Sequence, residues 1–137
     1  MKKGRVFLRA GWPKHVTKEF RKKLQHVGNG LRGLYGAPVY LVGSALLDSN
    51  MYPRDWDIRI MLSDAEFTRR YGNPQTWHAE QAHKNWTRIS WRWSDDCVKQ
   101  SKVESSILGV LVDFQVYPLS IYRKSFRHRP RLRLDTR

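Results

Sequence analysis

Val16, Phe20, Leu24, Val27, Leu31 and Leu34 recur at steps of three and four residues. That is the period of one face of a helix, so residues 16–34 are expected to form an amphipathic helix. Thr17 is a candidate cap, and Gly28, Gly30 and Gly33 should weaken the second half. Most of the lysines and arginines in this stretch fall on the face away from the apolar stripe. Pro38 ends the connection, and residues 39–42 read as a short buried strand.

The period then changes to two. In residues 55–62, Trp56, Ile58, Ile60 and Leu62 point one way and Asp55, Asp57 and Arg59 the other. Residues 110–116 repeat the pattern, with Val110, Val112, Phe114 and Val116 opposite Leu111, Asp113 and Gln115. Each strand therefore has a core face and a face that carries acid. Between them, residues 64–71 and 75–88 read as helical. Ile89, Trp91 and Trp93 alternate, which fits a strand or the continuation of a helix. These patterns describe an α/β (α+β) protein: a mixed sheet flanked by helices. With no internal repeat or linker, 137 residues make one domain over 1–122. A basic tail follows at 123–137, with almost no apolar residues beyond Leu132 and Leu134, and is expected to be extended or mobile.

Charge narrows the class of partner. The chain carries a net charge of +14, concentrated near its two ends. Such an excess points to a polyanion, most often nucleic acid. Lys18, Arg21 and Lys22 near one end, and Arg123, Lys124, Arg127, Arg129 and Arg131 near the other, are the candidate contacts. No segment is long and apolar enough to cross a membrane, and Val6-Phe7-Leu8 is too short for a signal peptide, so a cytoplasmic protein without a membrane partner is expected. The single cysteine, Cys97, excludes an internal disulfide framework and a cysteine-rich zinc site, and it is given no role. His78 and His83 read as helix surface. Trp77, Trp86, Trp91 and Trp93 read as core, with stacking on a base as the alternative for one of them.

The acidic strand faces carry the chemistry. Asp55 and Asp57 are two residues apart, about 7 Å along an extended backbone. Asp113 stands on a second alternating strand. Carboxylates held about 4 Å apart repel by about 4 kcal/mol per pair at an effective dielectric near 20. A divalent cation removes that repulsion, and oxygen-only ligands suit Mg²⁺ or Mn²⁺.

Gly43-Ser44 at the end of a strand, Asp55-Trp56-Asp57, and Val112-Asp113-Phe114 together resemble the signature of the nucleotidyltransferase superfamily, whose best-known member is DNA polymerase β. The resemblance spans roughly residues 16–117. It implies a palm-like fold in which Asp55, Asp57 and Asp113 hold Mg²⁺ or Mn²⁺ and Asp113 helps deprotonate an attacking hydroxyl. It also implies that Gly43 lets the backbone approach an NTP while Ser44 binds its phosphates. Arg54 and Arg59 flank the pair, as phosphate ligands or as counter-charges. The implied reaction moves an NMP from the NTP to an acceptor hydroxyl and releases pyrophosphate. The basic ends favour RNA as acceptor. A partner protein, as for antitoxin-like members, and an inactive nucleic-acid-binding fold are the alternatives. The chain is too small for the helical domain that many members carry, so the basic ends or a partner would supply acceptor specificity.

Overall fold

A computed structural model describes residues 8–9, 11–73, 88–126 and 129–136. Helix α1 spans Lys18–Tyr35. The Thr17 hydroxyl caps it by accepting from the Phe20 N–H, and Gly36, at φ 68°, ends it. Leu24, Val27, Leu31 and Tyr35 are buried on its inner face, whereas Leu34 is 62 % exposed. The buried stripe thus steps from Leu31 to Tyr35 rather than to Leu34.

Strand β1 is Leu8–Arg9, β2 is Val39–Val42, and a short 3₁₀ turn covers Gly43–Leu46. Strand β3 spans Trp56–Leu62 and helix α2 Asp64–Tyr71, capped by Ser63. Helix α3 runs Arg88–Leu108, β4 Val112–Pro118, α4 Leu119–Phe126 and β5 Pro130–Arg133. The architecture is mixed α/β, with a five-stranded sheet in the order β1-β5-β2-β3-β4. Strand β2 is antiparallel to both neighbours, while β3 and β4 run parallel.

One face of the sheet, with Leu41, Ile58, Ile60, Phe114, Val116 and Leu132, forms the core beneath α1 and α3. The Tyr35 and Tyr71 hydroxyls both donate to Asp96, joining α1, α2 and α3. The tryptophan alternation at 91 and 93 belongs to α3. Helix α3 shields the outer edge of β4: the Trp93 indole donates to the Val116 carbonyl at 2.7 Å. The Ser101 and Ser105 hydroxyls accept from the Phe114 and Val112 N–H groups at 2.9 and 2.8 Å. Strand β4 begins two residues later than the pattern suggests, because Gly109, at φ 71°, turns the chain after α3. The expected helix over 75–88 lies almost wholly outside the described residues, as do Trp77, His78, His83 and Trp86.

The tail expected to be extended or mobile is instead packed into the fold. Residues 119–126 are α4, and β5 joins the sheet by pairing with β2, with Leu132 opposite Leu41. Leu132 and Leu134 are buried. The buried Asp135 carboxylate accepts from the Val39 N–H at 3.0 Å, Arg32 at 2.7 Å and Arg133 at 2.9 Å. Two apolar residues and one satisfied acid thus anchor a segment whose composition alone reads as solvated. Gly28 serves the same junction: a Cβ there would stand 2.7 Å from the Leu134 Cβ and 2.8 Å from the Asp135 nitrogen. It is a packing glycine, not a weak point of the helix.

Two expected outcomes follow from this junction. Gly28→Ala should destabilise the protein by about 1–3 kcal/mol through overpacking, against the gain of nearly 1 kcal/mol that helix propensity alone would give. Urea unfolding gives the sign directly. Burial works to raise the pKa of Asp135, but hydrogen bonds from Arg133, the Val39 N–H and Arg32 outweigh it and hold the carboxyl below its ordinary 3.8. Its contribution is therefore present above pH 3.8 and lost as pH falls through the lower folded value. Asp135→Ala should cost about 3 kcal/mol at neutral pH, with the difference from wild type shrinking in acid.

Candidate active site

The end of β2 sets the geometry. Gly43 turns the chain at φ 82°, a conformation that side chains with a Cβ rarely adopt. A Cβ at this position would also collide with the Asp57 carboxylate. Backbone and carboxylate are thus in close approach where the strand enters the Gly43–Leu46 turn.

Sheet register assembles the rest. Val42 lies opposite Asp57 on β3, Asp57 opposite Asp113 on β4, and Arg131 of β5 opposite Val42. Neighbouring strands are about 4.8 Å apart, so Asp57 and Asp113 stand side by side on the face away from α1. Two residues further along, Arg133, Tyr40, Arg59 and Gln115 form a second row on that face. Asp55 precedes β3 and is not in this row. It lines a separate cleft of about 350 Å³ between α3 and β4, which Asp113 also borders. The structure therefore pairs two of the three acids directly and keeps the third beside them.

Arg59 lies between the pair. Its Nη2 is 3.4 Å from Asp113 Oδ2 and 3.9 Å from Asp57 Oδ1, and its Nη1 donates to the Asp113 carbonyl at 2.5 Å. In this structure the guanidinium is a counter-charge to both acids, and it also lines the cleft in front of Asp57. Arg54 is exposed. Burial raises the Asp57 pKa, the Arg59 charge works against that rise, and Asp55 and Asp113 add to it. Asp55 thus lies within electrostatic reach of Asp57.

In front of Asp57 opens a cleft of about 420 Å³. Gly43, the exposed Ser44 and Leu47 form one side, Tyr117 and Tyr122 another, and Arg129 and Pro130 a third. Sequence reasoning overlooked the two tyrosines. Tyr117 was findable, since it shares the parity of Asp113 and Gln115 on β4; Tyr122 comes from α4, against Tyr117 with ring centroids 6.2 Å apart. Burial raises the pKa of both phenols, so both are neutral.

The basic candidates divide. Lys18, Arg21 and Lys22 lie in the first turns of α1, which packs against the start of β3 through Phe20 on Trp56, and Arg21 stacks on Trp12 at 4.6 Å. Arg129 is in the cleft wall, Arg131 stacks on Tyr40 at 4.2 Å, and Arg123 is exposed on α4. Arg127 and the Lys124 side chain lie outside the described residues. Burial pushes the Cys97 thiol up to about 12, which leaves it unreactive.

Among the described residues, no three His, Cys, Asp or Glu groups converge as a metal cluster. The Asp57–Asp113 pair is the set of donors that could hold a hard cation. Its donors are all oxygen, and the Arg59 guanidinium already rests a positive charge against both. Mg²⁺ commonly takes only one or two carboxylates and completes its shell with water and substrate phosphates.

No protein-family model, curated protein or solved structure matches this chain.

Because the Asp57 pKa is raised above its ordinary 3.8, the ionised form opposes folding. That penalty is absent below pH 3.8 and develops as pH rises through the folded value. Without divalent cations, Asp57→Asn should therefore melt higher than wild type at neutral pH and alike in acid, as thermal unfolding at the two pH values will report.

Proposed function

We propose that this protein is a metal-dependent nucleotidyltransferase that moves an NMP from an NTP to an acceptor hydroxyl, with RNA as the favoured acceptor. The observation that carries this reading is the register of Asp57 with Asp113, on parallel neighbouring strands, against the Gly43 turn. The order of strand, Gly-Ser turn, acidic strand, helix and second acidic strand supports the palm-like fold that the sequence resemblance implies.

The residues divide the work. The Gly43 backbone and the Ser44 hydroxyl border the cleft where the triphosphate would lie. Tyr117 and Tyr122 offer aromatic walls for the base, and Arg129 a charge for phosphate. Asp57, the more buried acid, is suited to hold Mg²⁺ or Mn²⁺ together with Asp113. Asp113 is the more open, its side chain 44 % exposed against 23 % for Asp57, so its Oδ2 is suited to accept the acceptor's proton. When bound, the ion would stabilise charge on the attacking and leaving oxygens. The acceptor oxygen bonds to the α-phosphorus, the bond to the β-phosphate bridge breaks, and pyrophosphate leaves. RNA is favoured because a net charge of +14 exceeds what a small acceptor would require.

Incubation with each α-labelled NTP, Mg²⁺ or Mn²⁺, and either total cellular RNA or a protein extract tests the reading. Label should enter RNA in the wild type and fall to background in Asp57→Ala, with the fold retained by circular dichroism. Label entering protein alone would transfer the assignment to a protein acceptor. No transfer with any NTP and metal would overturn it.

A further inference from the structure

Arg59 is more than a neighbour of the acids. Its guanidinium forms a bridge: Nη2 faces both carboxylates, at 3.4 and 3.9 Å, and Nη1 donates to the carbonyls of Asp113 and Ile58, at 2.5 and 3.1 Å. The side chain is only 12 % exposed and lies by the Tyr117 ring at 6.0 Å. Arginine does not lose its proton in a protein, so this positive charge is permanent. A second cation brought onto the same oxygens would meet it at close range, in a partly buried site where like charges are poorly screened.

We propose that Arg59 is a built-in counter-cation that competes with the divalent ion for Asp57 and Asp113, and gives way only when a triphosphate enters the cleft. The proposal rests on the nucleotidyltransferase reading and adds a loading order to it. Arg59 borders the same cleft as Ser44 and Arg129. An incoming triphosphate offers its guanidinium a new anionic partner, bound by the same fork geometry that suits carboxylate. The carboxylates are then released without leaving any charge unpaired. Ion and nucleotide therefore bind cooperatively, and the ion alone binds weakly. Arg59 acts as a positioning residue; it takes no part in bond making.

Free Mn²⁺, measured by electron paramagnetic resonance, tests the competition on the full chain. Arg59→Gln should bind Mn²⁺ alone at least about tenfold more tightly than wild type, about 1.4 kcal/mol. Arg59→Lys, which keeps the charge, should stay close to wild type. Adding Asp57→Asn to Arg59→Gln should abolish the gain. The wild-type chain provides a readout independent of any variant: the Arg59 Nε–H resonance should shift with Mg²⁺ plus a non-hydrolysable ATP analogue, and not with the same Mg²⁺ alone. Equal Mn²⁺ affinity in wild type and Arg59→Gln, with NMP transfer intact, overturns the competition and leaves the enzyme reading standing. Mn²⁺ binding indifferent to Asp57→Asn, with no NMP transfer, overturns both.

Discussion

The Asp135 carboxylate holds together elements far apart in the chain. It takes hydrogen bonds from Arg32 on α1, from the backbone of Val39 at the start of β2, and from Arg133 on β5. A buried charge is tolerated only when its oxygens are satisfied, and these are. The junction lets β5 pair with β2 and brings Arg129 and Pro130 to the wall of the cleft and Arg131 into the row of Asp57 and Asp113. Gly28 completes it from the helix side, since any larger residue would press on the backbone at Leu134 and Asp135. The candidate active site thus depends on an acid at the opposite end of the strands, reached through β5.

The other side of the sheet has a different solution. Strand β4 carries Asp113 at the sheet edge, where free backbone groups would invite pairing with another chain. Helix α3 satisfies them with side chains. Ser101 and Ser105, four residues apart, face the N–H groups of Phe114 and Val112, and Trp93 reaches the Val116 carbonyl. The helix acts as a substitute strand and fixes β4 without extending the sheet. The parallel β3–β4 register that aligns Asp57 with Asp113 is held from both sides.

Much of this was legible in local pattern. Helix α1, the β2 strand, α2 and the alternating faces of β3 and β4 all follow from periodicity, and the parity of Asp57 and Asp113 comes with it. What escaped depends on contacts between distant residues. Strand β5 is held by Leu132, Leu134 and a satisfied Asp135, and no local window distinguishes these from a solvated basic tail. Trp91 and Trp93 alternate like strand residues, but α3 uses the Trp93 indole as a hydrogen-bond donor to β4, a role that periodicity does not encode. Gly28 reads as a helix breaker until the segment that crosses it is known. Asp55 shares the parity of Asp57 in the sequence, yet β3 starts one residue after it, so the strand does not control where it points.

The energetics of the acidic face bear on its purpose. Asp57 and Asp113 stand side by side on adjacent strands, and the Asp55 and Asp113 charges both oppose ionisation of Asp57. Burial makes ionised Asp57 costlier still, as its raised pKa records. An asparagine at 57 would remove both penalties with almost the same shape. The chain instead adds a nearly buried arginine whose guanidinium spans both acids and their strands. An arrangement that opposes its own stability and then compensates for it fits a site kept for charge chemistry. The proposed exchange of Arg59 for a metal–triphosphate pair would turn that same compensation into a device that responds to the nucleotide.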